Sequence, residues 1–239
     1  MTLLRKEVLE LPSSLLPDLS LFYGMSLHIL NEKLWFPPVE EAMEDGLLAI
    51  GGDLTPERLL LAYRSGIFPW YNDDLPLWWS PDPRFVLFPE EVIIHKSMRS
   101  VLKNSNFQWT VNQAFSGVIH QCSSMDRPKQ DGTWLNDALI ASFIDLHQSG
   151  HAHGVEVWQN NRLVGGLYGI KMGNIFCGES MFSIASNASK FGFLQYLEVL
   201  RAEGIQLIDC QVYSDHLASL GGRMIDRKKF LEYLHPVGN

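Results

Sequence analysis

Residues 154–182 read GVEVWQNNRLVGGLYGIKMGNIFCGESMF. The run separates into three strand-like stretches, 154–158, 163–171 and 175–182, joined by the dipeptides Asn160-Asn161 and Gly173-Asn174. Asn and Gly accept positive φ at low cost, which suits tight hairpin turns, so the three stretches are expected to be antiparallel neighbours in one sheet. Upstream, Phe115, Val118, Ile119 and Cys122 share one helical face after Asn112. A second helix is expected after Asn136, carrying Leu139, Ile140, Phe143, Ile144 and His147 and ending at Gly150. Downstream, the pattern predicts a helix over 187–202 closed by Gly204, a buried strand over 205–212, and an amphipathic helix over 227–234. Two helices, an antiparallel meander, a helix and a further strand make an α+β layout.

The first third has a different texture, rich in aromatics, Pro and Gly: Trp35, Phe36, Pro37 and Pro38, then Gly51 and Gly52, then Phe68, Pro69 and Trp70. One helix is expected over 55–66, with Thr55 as N-cap, Pro56 in the first turn, an apolar stripe of Leu59, Leu60 and Tyr63, and Gly66 as the stop. The stretch 78–84 (WWSPDPR) carries two prolines around Asp82 and should continue neither a helix nor a central strand. A boundary there gives a small N-terminal domain over 1–84 and a larger one over 85–239.

The chain has 239 residues, 46% hydrophobic and 19% charged, a composition that can bury a core. No apolar run approaches the ~20 residues of a membrane span, and the Leu-rich start is broken by charges and prolines, so neither a span nor a signal peptide is expected. The cysteines, Cys122, Cys177 and Cys210, are odd in number and lack C-x-x-C spacing. A disulfide framework or structural zinc is not expected, and a reducing, cytoplasmic setting is. The formal net charge of -8 repels polyanions as a whole. A nucleic-acid partner would therefore need a local patch. Lys96, Arg99 and Lys103, at i, i+3 and i+7, supply the candidate, and equally read as a solvated helix face.

The order of elements after residue 112 resembles the acyltransferase fold of the GNAT superfamily. Five segments make the likeness specific: 46–53 (GLLAIGGD), 66–70 (GIFPW), 78–84 (WWSPDPR), 176–182 (FCGESMF) and 207–212 (LIDCQV). Together with 150–153 (GHAH), 163–169 (LVGGLYG) and 215–220 (DHLASL), they resemble the leucyl/phenylalanyl-tRNA-protein transferase family from about residue 34 onward. The resemblance implies a small N-terminal domain on a GNAT-like catalytic domain. It implies transfer of Leu, Phe or Met from aminoacyl-tRNA to proteins beginning with Arg or Lys, marking them for N-end rule degradation without ATP, CoA or another cofactor. Residues 183–188 (SIASNA) agree, since they lack the glycines with which a CoA-dependent acetyltransferase approaches pyrophosphate.

Asp209 and Gln211 alternate along a core strand, which is expected to put both on one face and Ile208, Cys210 and Val212 on the other. The residues alone leave open a structural hydrogen-bond network or a catalytic pair; the resemblance implies the second. It also implies that Glu179, on a strand expected beside that of Asp209, holds the amino group of the transferred residue; by itself Glu179 reads as well as a salt bridge. The resemblance places Leu167, Met181, Phe193, Tyr196 and Ile208 in a side-chain pocket, although such residues are otherwise simply core, and it puts Trp70 and Trp134 against the terminal adenosine of the tRNA. His151 and His153 form an isolated HxH pair, so no metal site is expected. Cys177 or Cys210 as a nucleophile with His153 or His216 is the remaining catalytic alternative, disfavoured by the apolar strands that hold the thiols. A transferase with another donor, or a non-catalytic module that binds RNA or protein N-termini, also fits the pattern.

Overall fold

The computed structural model describes residues 27–71, 75–125 and 135–235. The chain divides into two compact units, Met1–Asp82 and Pro83–Asn239.

The first unit holds β1 (His28–Leu30), β2 (Leu47–Gly51), α1 (Pro56–Arg64), β3 (Phe68–Pro69) and β4 (Leu77–Trp79), with sheet order β1-β2-β4-β3. The Thr55 hydroxyl caps α1 by accepting from the Arg58 N–H. Pro69 lies in an edge strand, where its missing N–H is not needed. The expectation that 78–84 could hold no central strand is corrected, because Trp78 and Trp79 belong to β4, which pairs with both β2 and β3. The cause is burial: Trp78 is fully enclosed and donates its indole N–H to the Gly51 carbonyl at 2.8 Å, while Pro81 and Pro83 come only after the ladder has ended.

The second unit begins with β5 (Arg84–Leu87), α2 (Lys96–Asn104), β6 (Gln108–Val111), α3 (Phe115–Ser124) and α4 (Asp137–Gln148). The meander of β7 (Ala152–Gln159), β8 (Arg162–Met172) and β9 (Ile175–Ser183) follows. The unit closes with α5 (Ala188–Ala202), β10 (Leu207–Gln211), the short α6 (Asp215–Ser219), β11 (Arg223–Ile225) and α7 (Arg227–Leu234). The α+β expectation holds. Asn160 and Asn161 both take positive φ, 52° and 58°, as the β7–β8 hairpin requires.

The seven strands run β11-β5-β10-β9-β8-β7-β6, with β9 and β10 parallel and the other neighbours antiparallel. Successive residues of a strand face opposite sides of the sheet. A Cβ built on Gly165 would lie 2.6 Å from Ala188 of α5, and one on Gly166 would lie 3.2 Å from Val118 of α3, so those helices cover opposite faces. Buried Glu156 ties α3 to the sheet: its carboxylate accepts from the Thr110 hydroxyl at 2.5 Å and from the backbone N–H groups of Gln113 and Ala114 at 3.1 and 3.0 Å. Those N–H groups precede the helix, where an anion is favoured.

Candidate active site

The parallel ladder between β9 and β10 pairs Leu207 with Ile175, Ile208 with Phe176, and Asp209 with Cys177, and ends there. Just past that point each strand is irregular. In β9, Tyr168 pairs with Ser180 and Gly169 with Gly178, which leaves Glu179 as an extra residue. In β10, Asp209 lies opposite Val86 and Gln211 opposite Phe85, which leaves Cys210 extra. Bulges of this kind re-aim side chains where a ladder stops. Here they turn the two strands toward each other through side chains, with Gln211 Nε2 donating to Glu179 Oε1 at 2.8 Å.

The expected simple alternation of Asp209 and Gln211 is thereby corrected. Gln211 takes a left-handed φ of 64°, and the Val212 N–H donates to the Cys210 carbonyl at 2.7 Å, which closes a tight three-residue turn. The strand ends at Gln211, and Val212 is exposed rather than packed on a core face. A non-glycine residue in this conformation is strained and persists only where its surroundings hold it. The holding contact is Asp209, whose Oδ1 accepts the Gln211 N–H at 2.9 Å.

Asp209 is 1% exposed and is gripped by a residue that the sequence reading did not single out. Arg84, also 1% exposed, donates from Nε to Oδ1 at 2.8 Å and from Nη2 to Oδ2 at 2.7 Å. The fork fits both carboxylate oxygens, the strongest ion-pair geometry available to a side chain. Behind it, the Arg84 guanidinium lies 4.7 Å from the Phe230 ring centroid of α7. A signal was present in the sequence, since Arg84 directly precedes the apolar run 85–88 (FVLF), where an arginine needs a buried partner.

Burial pushes the Cys177 thiol well above its ordinary range, and the charges of Asp209 and Glu179 add to the effect. Burial and then Asp209 do the same to Cys210. Both thiols stay protonated at neutral pH, which argues against the thiol-nucleophile alternative. Burial, followed by Lys171, holds His153 down at about 4, and its Nδ1 lies 3.1 Å from Asn112 Nδ2. Among the described residues, no group of three or more His, Cys, Asp or Glu is placed to hold a metal ion.

Leu167, Phe193, Tyr196 and Ile208 are buried in one apolar cluster, with Met181 packed against it. The Tyr196 hydroxyl is buried there without a hydrogen-bond partner among the described residues. Lys96, Arg99 and Lys103 are exposed on α2, which Met98 anchors to the same cluster. Trp70, in the first unit, is 37% exposed, with its ring centroid 6.0 Å from that of Trp79. Trp134 lies outside the described residues.

A family model described as leucyl/phenylalanyl-tRNA protein transferase matches residues 86–235. The chain belongs to that family. A second model, for the N-terminal domain of the same transferase, matches residues 52–82. Relatives named leucyl/phenylalanyl-tRNA–protein transferase include one from Flavobacterium johnsoniae, 54% identical over 209 residues, which are 87% of this chain and 99% of the relative. One from Christiangramia forsetii is 54% identical over 211 residues, 87% of this chain and 100% of the relative. One from Pseudomonas fluorescens is 52% identical over 207 residues, 85% and 91% of the two chains. A solved GCN5-related N-acetyltransferase from Kribbella flavida aligns with a TM-score of 0.35 at 8% identity, over 74% of this chain and 63% of that one. The family match over residues 86–235 contains Glu179, Asp209 and Gln211, and Arg84 stands two residues before it.

Proposed function

We propose that this chain moves a leucyl or phenylalanyl group from its tRNA ester to the α-amine of a protein beginning with Arg or Lys, with Asp209, Gln211 and Glu179 as the reacting centre. The observation that supports it is the double bulge, which brings the Gln211 amide onto Glu179 beside a carboxylate already held by Arg84. The acceptor amine attacks the ester carbonyl, the C–N bond forms, the bond to the ribose oxygen breaks, and the proton given up by the amine ends on that oxygen. An α-amine has a free pKa of ~7.7 to 8.0, so neutral amine is available without a strong base. Asp209 has Arg84 on both oxygens and Gln211 N–H on one, which suits a positioning role over proton uptake. Gln211 Nε2 is engaged by Glu179, and its Oε1 is left to accept an N–H of the attacking amine. Glu179 in turn is suited to the ammonium of the donor amino acid. The ester is already activated, so the step calls on positioning rather than a cofactor.

Within this reading the apolar cluster around Leu167 and Tyr196 takes the donor side chain, and Trp70 and Trp134 stack on the terminal adenosine. The unit Met1–Asp82 acts as the N-terminal domain and Pro83–Asn239 as the catalytic domain, two residues earlier than the boundary expected at 84, and the reaction takes place in the cytoplasm. No helix among the described residues is long and apolar enough to cross a membrane. The test is to incubate the protein with Phe-tRNA or Leu-tRNA and an Arg-initiated peptide. The peptide should gain one residue, and the same peptide with its amine acetylated should not. Absence of product with either charged tRNA rejects the reading in favour of a different donor or of a non-catalytic binder.

In a chain of net charge -8, tRNA binding by α2 should be salt-sensitive. Each phosphate contact adds roughly 0.7 to 0.9 to the slope of log affinity against log salt, so replacing Lys96, Arg99 and Lys103 with Ala should flatten the slope measurably. Transfer from a minimal aminoacyl-adenosine donor should change little in the same variant. A wild-type slope with whole tRNA would remove α2 from the interface.

A further inference from the structure

Beyond the Gln211 turn the chain emerges into solvent with an aromatic residue first among its large side chains. Tyr213 is 56% exposed, yet its ring is braced on one side by Phe85, at a centroid distance of 5.3 Å. Phe85 is also the residue opposite Gln211 in the β5–β10 register. The Tyr213 hydroxyl donates to Asp215 Oδ1 at 2.8 Å, and among the described residues Asp215 has no cationic partner. Asp215 is itself fixed, since it opens α6 immediately after Ser214, whose hydroxyl caps that helix by accepting the Leu217 N–H at 3.2 Å. The hydrogen bond and charge of Asp215 push the Tyr213 phenol up, so the phenol keeps its proton at neutral pH and remains the donor of the pair. None of the roles assigned above uses either residue.

A ring face open to water, with a carboxylate tied to its edge, offers a cation the aromatic quadrupole and a counter-charge together. A planar guanidinium satisfies both at once, and an ammonium satisfies them less fully. We propose that Tyr213 and Asp215 bind the cationic side chain of the acceptor's first residue while its α-amine reaches Gln211. The spacing permits it: one residue, Val212, separates Gln211 from Tyr213, so their Cα atoms are at most ~7 Å apart, within the reach of one long side chain. The proposal rests on the transfer reaction proposed above, and it adds the origin of the acceptor preference.

The experiment measures kcat/KM for wild type, Tyr213→Leu and Asp215→Asn with three peptides that differ only in their first residue: Arg, Lys, or citrulline, the neutral isostere of Arg. Wild type should prefer Arg and Lys over citrulline. Asp215→Asn should reduce the Arg-to-citrulline preference roughly 10-fold or more, the scale of a lost charged hydrogen bond, chiefly through KM. Tyr213→Leu should reduce use of Arg more than use of Lys, because the stacked plane is lost. If both variants keep the wild-type Arg-to-citrulline ratio, or lose activity equally on all three peptides, Tyr213 and Asp215 do not read the acceptor side chain. If wild type transfers to none of the peptides, the transfer reading fails and takes this proposal with it.

Discussion

Arg84→Met should lower the unfolding free energy by about 3 to 5 kcal/mol, the cost of leaving a buried charge without its partner. The charge in question is Asp209, 1% exposed, with both oxygens taken by the Arg84 fork. Asp209→Leu alone should cost a similar amount by stranding the guanidinium. Arg84→Met combined with Asp209→Leu should recover most of the loss, because an apolar pair of similar volume avoids desolvating two ions. Urea denaturation of the four proteins gives the comparison. Transfer should fall by at least roughly 10²-fold in all three variants, since Asp209→Leu removes the contact that holds the Gln211 turn and Arg84→Met removes the fork that fixes Asp209, and either change misplaces the reacting groups. Stability and activity would then separate in the double variant, a result that a merely structural ion pair does not produce. A double variant with wild-type transfer would show that the pair supports the fold only.

Gly169→Ala should also be costly, by about 1 to 3 kcal/mol or more, because a Cβ there would sit 2.2 Å from the Cys177 carbonyl oxygen and 2.6 Å from Phe176 Cζ. The clash is with backbone, so it is relieved only by moving β9 at the bulge that carries Glu179. Gly178→Ala is the matched control, since the nearest atom to its Cβ is the Asp209 carbonyl oxygen at 3.7 Å, an ordinary contact. Urea midpoints should fall clearly for the first and change little for the second. Equal midpoints would mean that β8 and β9 yield more easily than this packing allows.

The meander and its flanking helices were legible because their signals are local. Asn160-Asn161 marks a hairpin through its tolerance of positive φ, Asn136 caps α4 by accepting the Leu139 N–H, and the spacing of apolar residues selects the faces. The strand after Gly204 was legible as buried, but its end was not. Glutamine carries no marker for a left-handed conformation, so alternation at Gln211 was the natural expectation, and the turn is held there instead by Asp209. The Arg84–Asp209 pair was hidden for a different reason: its members are 125 residues apart, and nothing local in either segment names the other. Trp78 and Trp79 misled because the nearby prolines dominate local propensity, whereas tertiary burial of Trp78 decides the strand. Candidate residues brought in by family resemblance, Glu179 and Gln211 above all, do meet in space, although spacing alone could not have paired them across 32 residues.

The most direct test of the proposed centre is the single-turnover rate of phenylalanyl transfer from Phe-tRNA to an Arg-initiated peptide, measured for wild type, Gln211→Ala and Glu179→Gln. Both substitutions are at partly exposed positions that leave the Arg84–Asp209 pair in place, so unfolding midpoints should stay near wild type. The transfer rate should fall by roughly 10²-fold in each, the scale on which positioning contributes to catalysis. Wild-type rates in both variants, with the fold intact, would contradict the assignment of the Asp209, Gln211 and Glu179 centre.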